Sequence, residues 1–375
     1  MYLAQSSPQN ETAALSAPGV PGALTTVTPP AGARGATGTA RGASLAFPPE
    51  SRCGVTPLTP GPPSEDQRRS EEVAVAEAVP TVDYHTGGEP FRIVPRPPVH
   101  IGGGTVAQRR VVAIADPAVD ALRRFLCHEP RGHADMYGGF LVPPDDDGAH
   151  LGVLFWHKDG FSTACGHGTI ALGTWAVRSG LVPADPSGTT DVRIDVPSGR
   201  VTARVHTAGG KVTEVDFVSV PSWSVAHDVA VTTSRGSVAV DIGFGGAFYA
   251  HLDIATLGLA LTPRDLPALV ALGREVKWAL DASPYARHAS DERLNGIYGT
   301  VLYEDLGHTP AGDVHQRNVA VFADGEVDRS PCGSGTASRV AVLRARGLLP
   351  PGAVFLHDSA EAGTDHRVVD EGCSR

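Results

Sequence analysis

The sequence predicts a mixed α/β protein built from two related halves. Short strand-like segments alternate with helical segments, and in each half they lead into an apolar helix that begins at a Cys-Gly pair. The first pair is Cys165-Gly166 and the second is Cys332-Gly333. Because a chain of 375 residues is long enough for two domains, we expect the two cysteine-led helices to belong to two α/β halves that face one site.

The composition is typical of a globular protein that acts on small molecules. Hydrophobic residues make up 41% of the chain, and the net charge of −10 gives no basic surface for nucleic acid or an anionic membrane. No apolar stretch approaches the roughly 20 residues that a membrane helix needs. The five cysteines are widely spaced, without a C-x-x-C pair, which argues against a disulfide framework and against a zinc site. We therefore expect a cytoplasmic protein without a bound metal.

Changes in composition divide the chain into four segments. Residues 1–77 are rich in Ala, Pro, Gly, Ser and Thr, which predicts a disordered extension. The first α/β half covers 78–222 and the second covers 223–349, each with one Cys-Gly pair. Residues 350–375 form a polar tail without a recognisable pattern. A truncation or a frameshift would explain such an end.

The individual elements follow from the period of the apolar residues. Pro117 to Cys127 is predicted to be a helix, because its apolar residues fall on one face. Val106 to Ile114 fits a strand or the start of a helix, and Pro263 to Leu280 fits one or two helices. Strands are predicted over 82–85, 91–94, 151–156, 192–196, 201–205, 212–218, 229–231, 238–242, 247–252, 299–304 and 318–322.

A cysteine at the start of a helix is a candidate reactive group. The first N–H groups of a helix have no partner within it, and together with the helix dipole they stabilise a thiolate. Cys165 and Cys332 are therefore the candidate catalytic residues. The N–H groups that follow each cysteine would form a site for a carboxylate; they belong to Gly166, His167, Gly333 and Ser334.

Five blocks of the sequence carry a more specific signal. They run from Asp83 to Val94, from Glu129 to Gly138, from Ala164 to Val177, from Gly245 to Ala250 and from Asp328 to Leu343. Together they resemble the proline racemase family, whose members are proline racemases, hydroxyproline epimerases and trans-3-hydroxy-L-proline dehydratases. The likeness extends from about Val82 to about Leu349.

The resemblance implies a fold and a set of contacts. It implies two pseudo-symmetric halves, each a curled mixed sheet around a central helix as in diaminopimelate epimerase, with the site in the cleft between them. It also implies a small imino acid as substrate, no cofactor, and the homodimer that is common in the family. The residues implied to contact the substrate are Gly166, His167, Gly333 and Ser334, with Asp328 at its ring nitrogen. Asp328 also has a plainer reading, as a helix cap.

Two cysteines suit one kind of reaction. Inverting the α-carbon of an amino acid requires a base on one face and an acid on the other. Two thiols, one ionised and one protonated, meet this requirement in both directions. Pyridoxal phosphate acts through an imine with a primary amine, and the secondary nitrogen of proline cannot form the usual neutral imine.

The second cysteine also favours one activity within the family. Cysteine at this position goes with racemases and epimerases, whereas threonine goes with dehydratases. We therefore predict inversion of the α-carbon of proline or a hydroxyproline. The blocks from Glu129 and from Gly245 look more like the dehydratase branch, so trans-3-hydroxy-L-proline dehydratase is the alternative. The unusual end of the chain leaves a third reading, an inactive or binding-only relative.

Several other polar residues are expected to be structural. Glu89 with Arg92, and Arg131 with Asp135, are natural ion pairs by their spacing. Cys127 lies on the apolar face of its helix, where packing in the core is the best reading. His85 and His133 are likewise expected to have structural roles.

Overall fold

The fold is known from a computed structural model that describes residues 2–4, 24–27, 78–360 and 365–369. Most of the predicted extension, including Cys53, lies outside the described residues, as does Cys373. The chain divides into two compact units, one of which is residues 26–79. The fold and the site belong to the other unit, residues 1–25 and 80–375.

The described residues form eighteen strands and five α-helices. The helices are α1 (Val106–Ala115), α2 (Pro117–Cys127), α3 (Gly166–Arg178), α4 (Leu266–Leu280) and α5 (Gly333–Ala345). Strands before residue 220 are β1 (Tyr2–Ala4), β2 (Leu24–Val27), β3 (Val79–Thr86), β4 (Glu89–Val94), β5 (Gly138–Val142), β6 (Leu151–His157), β7 (Gly160–Phe161), β8 (Thr189–Val196), β9 (Gly199–Ala208) and β10 (Lys211–Val218). Those after it are β11 (Trp223–Thr233), β12 (Gly236–Phe244), β13 (Phe248–Asp253), β14 (Ile297–His308), β15 (Val314–Phe322), β16 (Glu326–Asp328), β17 (Val354–Ser359) and β18 (Asp365–Val369).

The two halves repeat one order of strand pairing. In the first half, β3 is antiparallel to β4, β4 is parallel to β5, β5 is antiparallel to β6, β6 is parallel to β8, and β8 is antiparallel to β9. The series β12, β13, β14, β15, β17 and β18 repeats these five pairings in the same order. The short strands β7 and β16 pair with β6 and β15 just before the cysteine-led helices. The predicted pseudo-symmetric α/β fold is thereby confirmed.

The second half extends beyond the point where the sequence analysis ended it. The strands β17 and β18 follow Leu349, and β18 also pairs with β1. Along β17 the buried residues are Phe355, His357 and Ser359, so the period of two is present. Two of the three inward side chains are polar, which hides the strand from a search for alternating apolar residues.

The cysteine-led helices lie at the centre of each half. Helix α3 packs against β4, β8, β9 and β10, and α5 packs against β11, β12 and β13. Every residue of α3 from Gly166 to Gly173 is buried. Close packing requires small residues here, because a Cβ atom on Gly173 would lie 2.4 Å from the Cβ of Ala203. This is the predicted arrangement of a sheet around a central helix.

The other three helices agree with their predicted bounds to different degrees. The bounds of α2 are those predicted. The ambiguous segment from Val106 is the helix α1, and a capping box between Thr105 and Gln108 fixes its start. The segment after Pro263 is the single helix α4, which begins at Leu266. Among the helices of the described ranges, none is both long and apolar enough to cross a membrane.

Candidate active site

The starts of the two central helices meet. A Cβ atom on Gly166 would lie 2.7 Å from the Cα of Gly333, and a Cβ on Gly333 would lie 2.8 Å from the Cα of Gly166. Only glycine at both positions permits this approach. Cys165 and Cys332 are the N-cap residues of these helices. The contact between the glycines therefore brings both thiols to one cavity.

Every residue predicted for the site lines this cavity, which has a volume of about 10 Å³. Such a volume is roughly that of one water molecule. The predicted lining residues are Cys165, Gly166, His167, Asp328, Cys332, Gly333 and Ser334. The sequence analysis did not predict the remaining ones, which are Tyr137, Ala164, Tyr249, Tyr298 and Phe322. Their placement in one cavity is established, whereas their chemical roles remain predictions.

Cys165 has polar neighbours but is shielded from water. Its Sγ accepts a hydrogen bond from the N–H of Gly168 at 3.2 Å and lies 3.5 Å from the ring nitrogens of His167. Burial raises the pKa of the Cys165 thiol well above its usual range, and the Gly168 amide lowers it by less. Loss of water therefore outweighs the stabilisation of a thiolate by the first N–H groups of the helix.

Cys332 has a different partner and a strained backbone. Its φ angle of +65° lies in the left-handed region, which is unfavourable for a residue with a side chain. Its Sγ lies 3.7 Å from the hydroxyl of Tyr249, which is itself 2.7 Å from the Oγ of Ser334. Burial and the negative charge of Asp328 raise the pKa of the Cys332 thiol. Burial thus favours the protonated form of both thiols.

Asp328 supplies a buried negative charge beside the thiols. It ends β16, and its Oδ1 accepts hydrogen bonds from the N–H and the hydroxyl of Ser330, at 2.9 and 2.7 Å. The reading of Asp328 as a helix cap is wrong, since Cys332 is the N-cap of α5. Burial raises the pKa of Asp328 to about 6, so it is ionised at neutral pH.

Glu89 is a site residue that the sequence analysis assigned to structure. It is fully buried, and its carboxylate lies within 4.8 Å of ligand atoms of His167 and Asp328. Its Oε2 accepts a hydrogen bond from the N–H of Arg329 at 2.9 Å, and its Oε1 has no partner among the described residues. Burial and the charge of Asp328 raise the pKa of Glu89. The Glu89 carboxyl group therefore lies next to His167 and Asp328, two of the residues predicted to contact the substrate.

Both predicted ion pairs are wrong. Arg92 pairs with Asp83 at 2.7 Å. Asp135 lies 3.7 Å from the guanidinium of Arg329. The guanidinium of Arg131 lies over the ring of Phe125 instead.

Cys127 has the structural role that was predicted for it. It is buried in the core and its Sγ donates a hydrogen bond to the carbonyl of Met136 at 3.5 Å. Burial raises the pKa of the Cys127 thiol to about 12. A third cysteine is therefore available as an unreactive internal reference.

Three tyrosines close one side of the cavity. The hydroxyl of Tyr137 is bonded to that of Ser162 and lies 3.0 Å from the hydroxyl of Tyr298. Burial raises the pKa of Tyr137, Tyr249 and Tyr298, so all three stay protonated and can donate. Tyr137 and Tyr249 lie within two of the blocks already singled out in the sequence, which is the signal that could have identified them.

Among the residues that the structure describes, two groups of side chains have the geometry to hold a metal ion. One is Glu89 with His167 and Asp328, and the other is His157 with Asp159 and Glu326. In the first group, Asp328 already accepts two hydrogen bonds and Glu89 one. The chemistry proposed below needs no ion at either place.

Comparison with known proteins identifies relatives of the whole fold. The sequence profile of the family described as "Proline racemase" matches residues 81–368. A trans-3-hydroxy-L-proline dehydratase from Burkholderia cenocepacia is 44% identical over 286 residues, which is 76% of this chain and 84% of the relative. A 3-hydroxyproline 2-epimerase from Burkholderia multivorans is also 44% identical over 286 residues, with the same coverage of both chains. The relatives thus include both an isomerase and a lyase.

Solved structures give the same result. A hydroxyproline epimerase from Agrobacterium vitis, solved with bound trans-4-hydroxy-L-proline, has a TM-score of 0.71 and 29% identity over 79% of this chain and 86% of its own. A probable proline racemase from Agrobacterium radiobacter, solved with bound carbonate, has a TM-score of 0.71 and 28% identity over 77% of this chain and 83% of its own. The profile match includes both cysteine-led helices and continues through β17. Together with these relatives, it shows that the chain belongs to the proline racemase family.

Proposed function

We propose that this protein is a cofactor-independent racemase or epimerase that inverts the α-carbon of proline or a hydroxyproline. The observation that supports it is the pair of thiols at the starts of two touching helices, where both line one cavity. The alternative is dehydration of trans-3-hydroxy-L-proline at the same site.

Binding would use the groups around the thiols. The substrate carboxylate would accept hydrogen bonds from the first N–H groups of α3 and α5, where the helix dipoles favour an anion. The ring ammonium would lie beside Asp328, which keeps a negative charge in the buried site at neutral pH. The α-carbon then lies between Cys165 and Cys332, one thiol on each face.

Substrate binding would also produce the reactive thiolate. The charge of Asp328 contributes to the raised pKa of both thiols, and the incoming ammonium offsets that charge. One thiol releases its proton to solvent water as the complex forms. This thiolate takes the α-proton, the electron pair passes to the α-carbon and its carboxylate, and the opposite thiol gives its proton to the other face. The cysteines end in exchanged protonation states, ready for the reverse direction.

Dehydration is supported by the relatives and by one contact. A dehydratase needs a base for the α-proton and an acid for the departing 3-hydroxyl group. The hydroxyl of Tyr249, at 3.7 Å from the Sγ of Cys332, is a protonated group at that end of the cavity. Several dehydratases are as similar to this chain as the epimerase is.

Proton NMR in D₂O distinguishes these activities. The purified chain is incubated separately with L-proline, trans-4-hydroxy-L-proline and trans-3-hydroxy-L-proline. We expect the α-proton signal to disappear while the opposite configuration accumulates. Conversion of the 3-hydroxy compound alone, to a pyrroline carboxylate, would assign the dehydratase. No reaction with any compound, in a sample that is folded by circular dichroism, would favour a binding-only relative.

Variants at the cysteines test the two-thiol mechanism. Replacing Cys332 by Ser should abolish inversion and leave any dehydration in place, because the first base remains. Replacing Cys165 by Ser should abolish both reactions. C127S is the matched control, since that buried cysteine lies outside the site. Inversion at the wild-type rate in C332S would exclude the mechanism.

A further inference from the structure

A cavity on the first half lies apart from the catalytic cavity. Its volume is about 470 Å³, which is in the range of small-molecule sites. Its wall is formed by the loop that follows β4, by Arg109 of α1 and by the end of β5. No described residue lines both this cavity and the catalytic one. We call it the α1 cavity.

Arg109 supplies the positive charge of the α1 cavity. The residue is 8% exposed although it lines the cavity. Its Nη1 donates a hydrogen bond to the carbonyl of Pro143 at 2.7 Å, and within the described part of the chain it forms no ion pair with a carboxylate. A carbonyl satisfies one N–H group but does not neutralise a guanidinium. Because buried charges are normally paired with an opposite charge, Arg109 is suited to bind an anion.

No acidic side chain opposes that anion in the wall that the structure describes. Apart from Arg109, the wall consists of Pro97, Pro98, Val99, His100, Ile101, Gly102, Gly103, Leu141, Val142 and Pro143. The side chain of His100 can add only positive charge. Asp145 lies two residues beyond Pro143 but does not line the cavity, and its Oδ1 accepts a hydrogen bond from the N–H of Val106 at 2.6 Å. The charge that faces the α1 cavity is therefore positive.

The guanidinium is the principal donor for an anion in the α1 cavity, because N–H groups at the start of α1 are already engaged. Those of Gly104 and Thr105 donate to the Oε1 of Gln108, at 2.9 and 3.3 Å. The N–H of Gln108 donates to the Oγ1 of Thr105 at 3.2 Å. One guanidinium matches one carboxylate through two parallel N–H···O bonds. A doubly charged phosphate would require further donors.

The rest of the wall determines the body of the ligand. Most of its side chains are hydrocarbon, from the prolines of the loop and from Val99, Ile101, Leu141 and Val142. A volume of about 470 Å³ is far larger than a carboxylate group alone would fill. The cavity therefore suits a molecule with one carboxylate at one end and an apolar body.

We propose that the α1 cavity is a second binding site, for a small monocarboxylate with an apolar body such as an aromatic acid. The carboxylate is held by the guanidinium of Arg109, and the hydrocarbon part packs against the proline-containing loop and the end of β5. The site is separate from the catalytic cavity, and the proposal does not depend on the proposed function.

Calorimetric titration of the full chain with an aromatic acid tests the site directly. 2-Naphthoate has one carboxylate on an apolar body, and 2-naphthamide is its neutral match. We expect one 2-naphthoate to bind per chain, and the amide to bind at least tenfold more weakly. R109Q should weaken binding of the acid at least tenfold. The matched control is R264Q, at an exposed arginine of the second half, which should bind like the wild type.

A second variant tests the cavity without removing the buried arginine. A Cβ atom on Gly102 would meet no atom within 4 Å, so a larger side chain is accepted there. The ring introduced by G102F would occupy the α1 cavity and should weaken binding of 2-naphthoate at least tenfold. Excess pyrrole-2-carboxylate, a proline analogue directed to the catalytic cavity, should leave the binding of 2-naphthoate unchanged.

The outcomes of these titrations decide the proposal. Failure of 2-naphthoate to bind, equal affinity for acid and amide, wild-type affinity in R109Q, or displacement by pyrrole-2-carboxylate would each overturn it. If R109Q is unfolded by circular dichroism, G102F decides, and wild-type affinity in a folded G102F would overturn the proposal. None of these measurements requires turnover, so a chain without α-proton exchange would contradict the proposed function and leave this test intact.

Discussion

Replacing Asp328 by Asn should stabilise the protein while it abolishes activity. The carboxylate is buried and its pKa is about 6, against an ordinary value of 3.8. Each pKa unit corresponds to about 1.4 kcal/mol, so keeping Asp328 ionised costs the fold about 3 kcal/mol at pH 8. The Asn side chain keeps an Oδ1 that can accept both hydrogen bonds from Ser330 and carries no charge. It also removes the charge that raises the pKa of Glu89.

The size of the gain in stability depends on pH in a defined way. Because the pKa is raised in the folded state, the penalty is absent below about pH 4, grows between pH 4 and 6, and is complete above that range. D328N should therefore gain up to about 3 kcal/mol at pH 8 and less than about 1 kcal/mol at pH 4.

Urea denaturation at pH 4, 6 and 8, followed by circular dichroism, measures these gains. D147N is the matched control at an exposed aspartate and should change stability by less than about 0.5 kcal/mol at every pH. A gain that does not vary with pH, or a loss of stability at pH 8, would refute the reasoning.

Three further predictions concern the same cavity. Replacing Gly166 by Ala places a Cβ 2.7 Å from the Cα of Gly333, so we expect the free energy of unfolding in urea to fall by about 1–3 kcal/mol and inversion to be lost. Normal activity would contradict the role of the helix contact. Replacing Tyr249 by Phe removes the partner of the Ser334 hydroxyl, so stability should fall by about 1–3 kcal/mol; an unchanged unfolding midpoint would contradict this. Because burial raises the pKa of both site thiols, iodoacetamide should label Cys165 and Cys332 slowly at pH 7 and faster above pH 9, and pyrrole-2-carboxylate should block this labelling. Rapid labelling of either residue at pH 7, located by peptide mapping, would show that its thiolate is the resting form.

The sequence was sufficient for the fold class and for the residues nearest the thiols. Two Cys-Gly pairs before apolar helices predicted α3 and α5, and the family blocks predicted Asp328. These features are local, because a helix start and its cap lie within a few residues of each other. Of the lining residues that were missed, Tyr249, Tyr298 and Phe322 lie on β13, β14 and β15, and Tyr137 directly precedes β5. These strands reach the cavity only through strand pairing.

The wrong ion pairs have a simple geometric reason. Glu89 and Arg92 lie three residues apart on β4, where side chains alternate between the two faces, so they point in opposite directions. Arg92 instead faces Asp83, which is directly opposite it on β3. The register of the β3–β4 hairpin, set by the turn at Gly87 and Gly88, determines which residues face each other. A spacing of three residues brings two side chains together on a helix but not on a strand. Glu89 is consequently free to face His167 and Asp328.

The closed catalytic cavity has a consequence for measured affinities. The walls of a cavity of about 10 Å³ must move before an imino acid can enter, so binding includes the free energy of opening. The apparent dissociation constant is then the intrinsic one divided by the fraction of open molecules. A substitution that favours the open form would therefore tighten substrate binding while it slows turnover, because the carbanion would lose its shield from water. Weak binding of substrate by the wild-type protein would reflect this equilibrium rather than a poor fit between the ligand and the site.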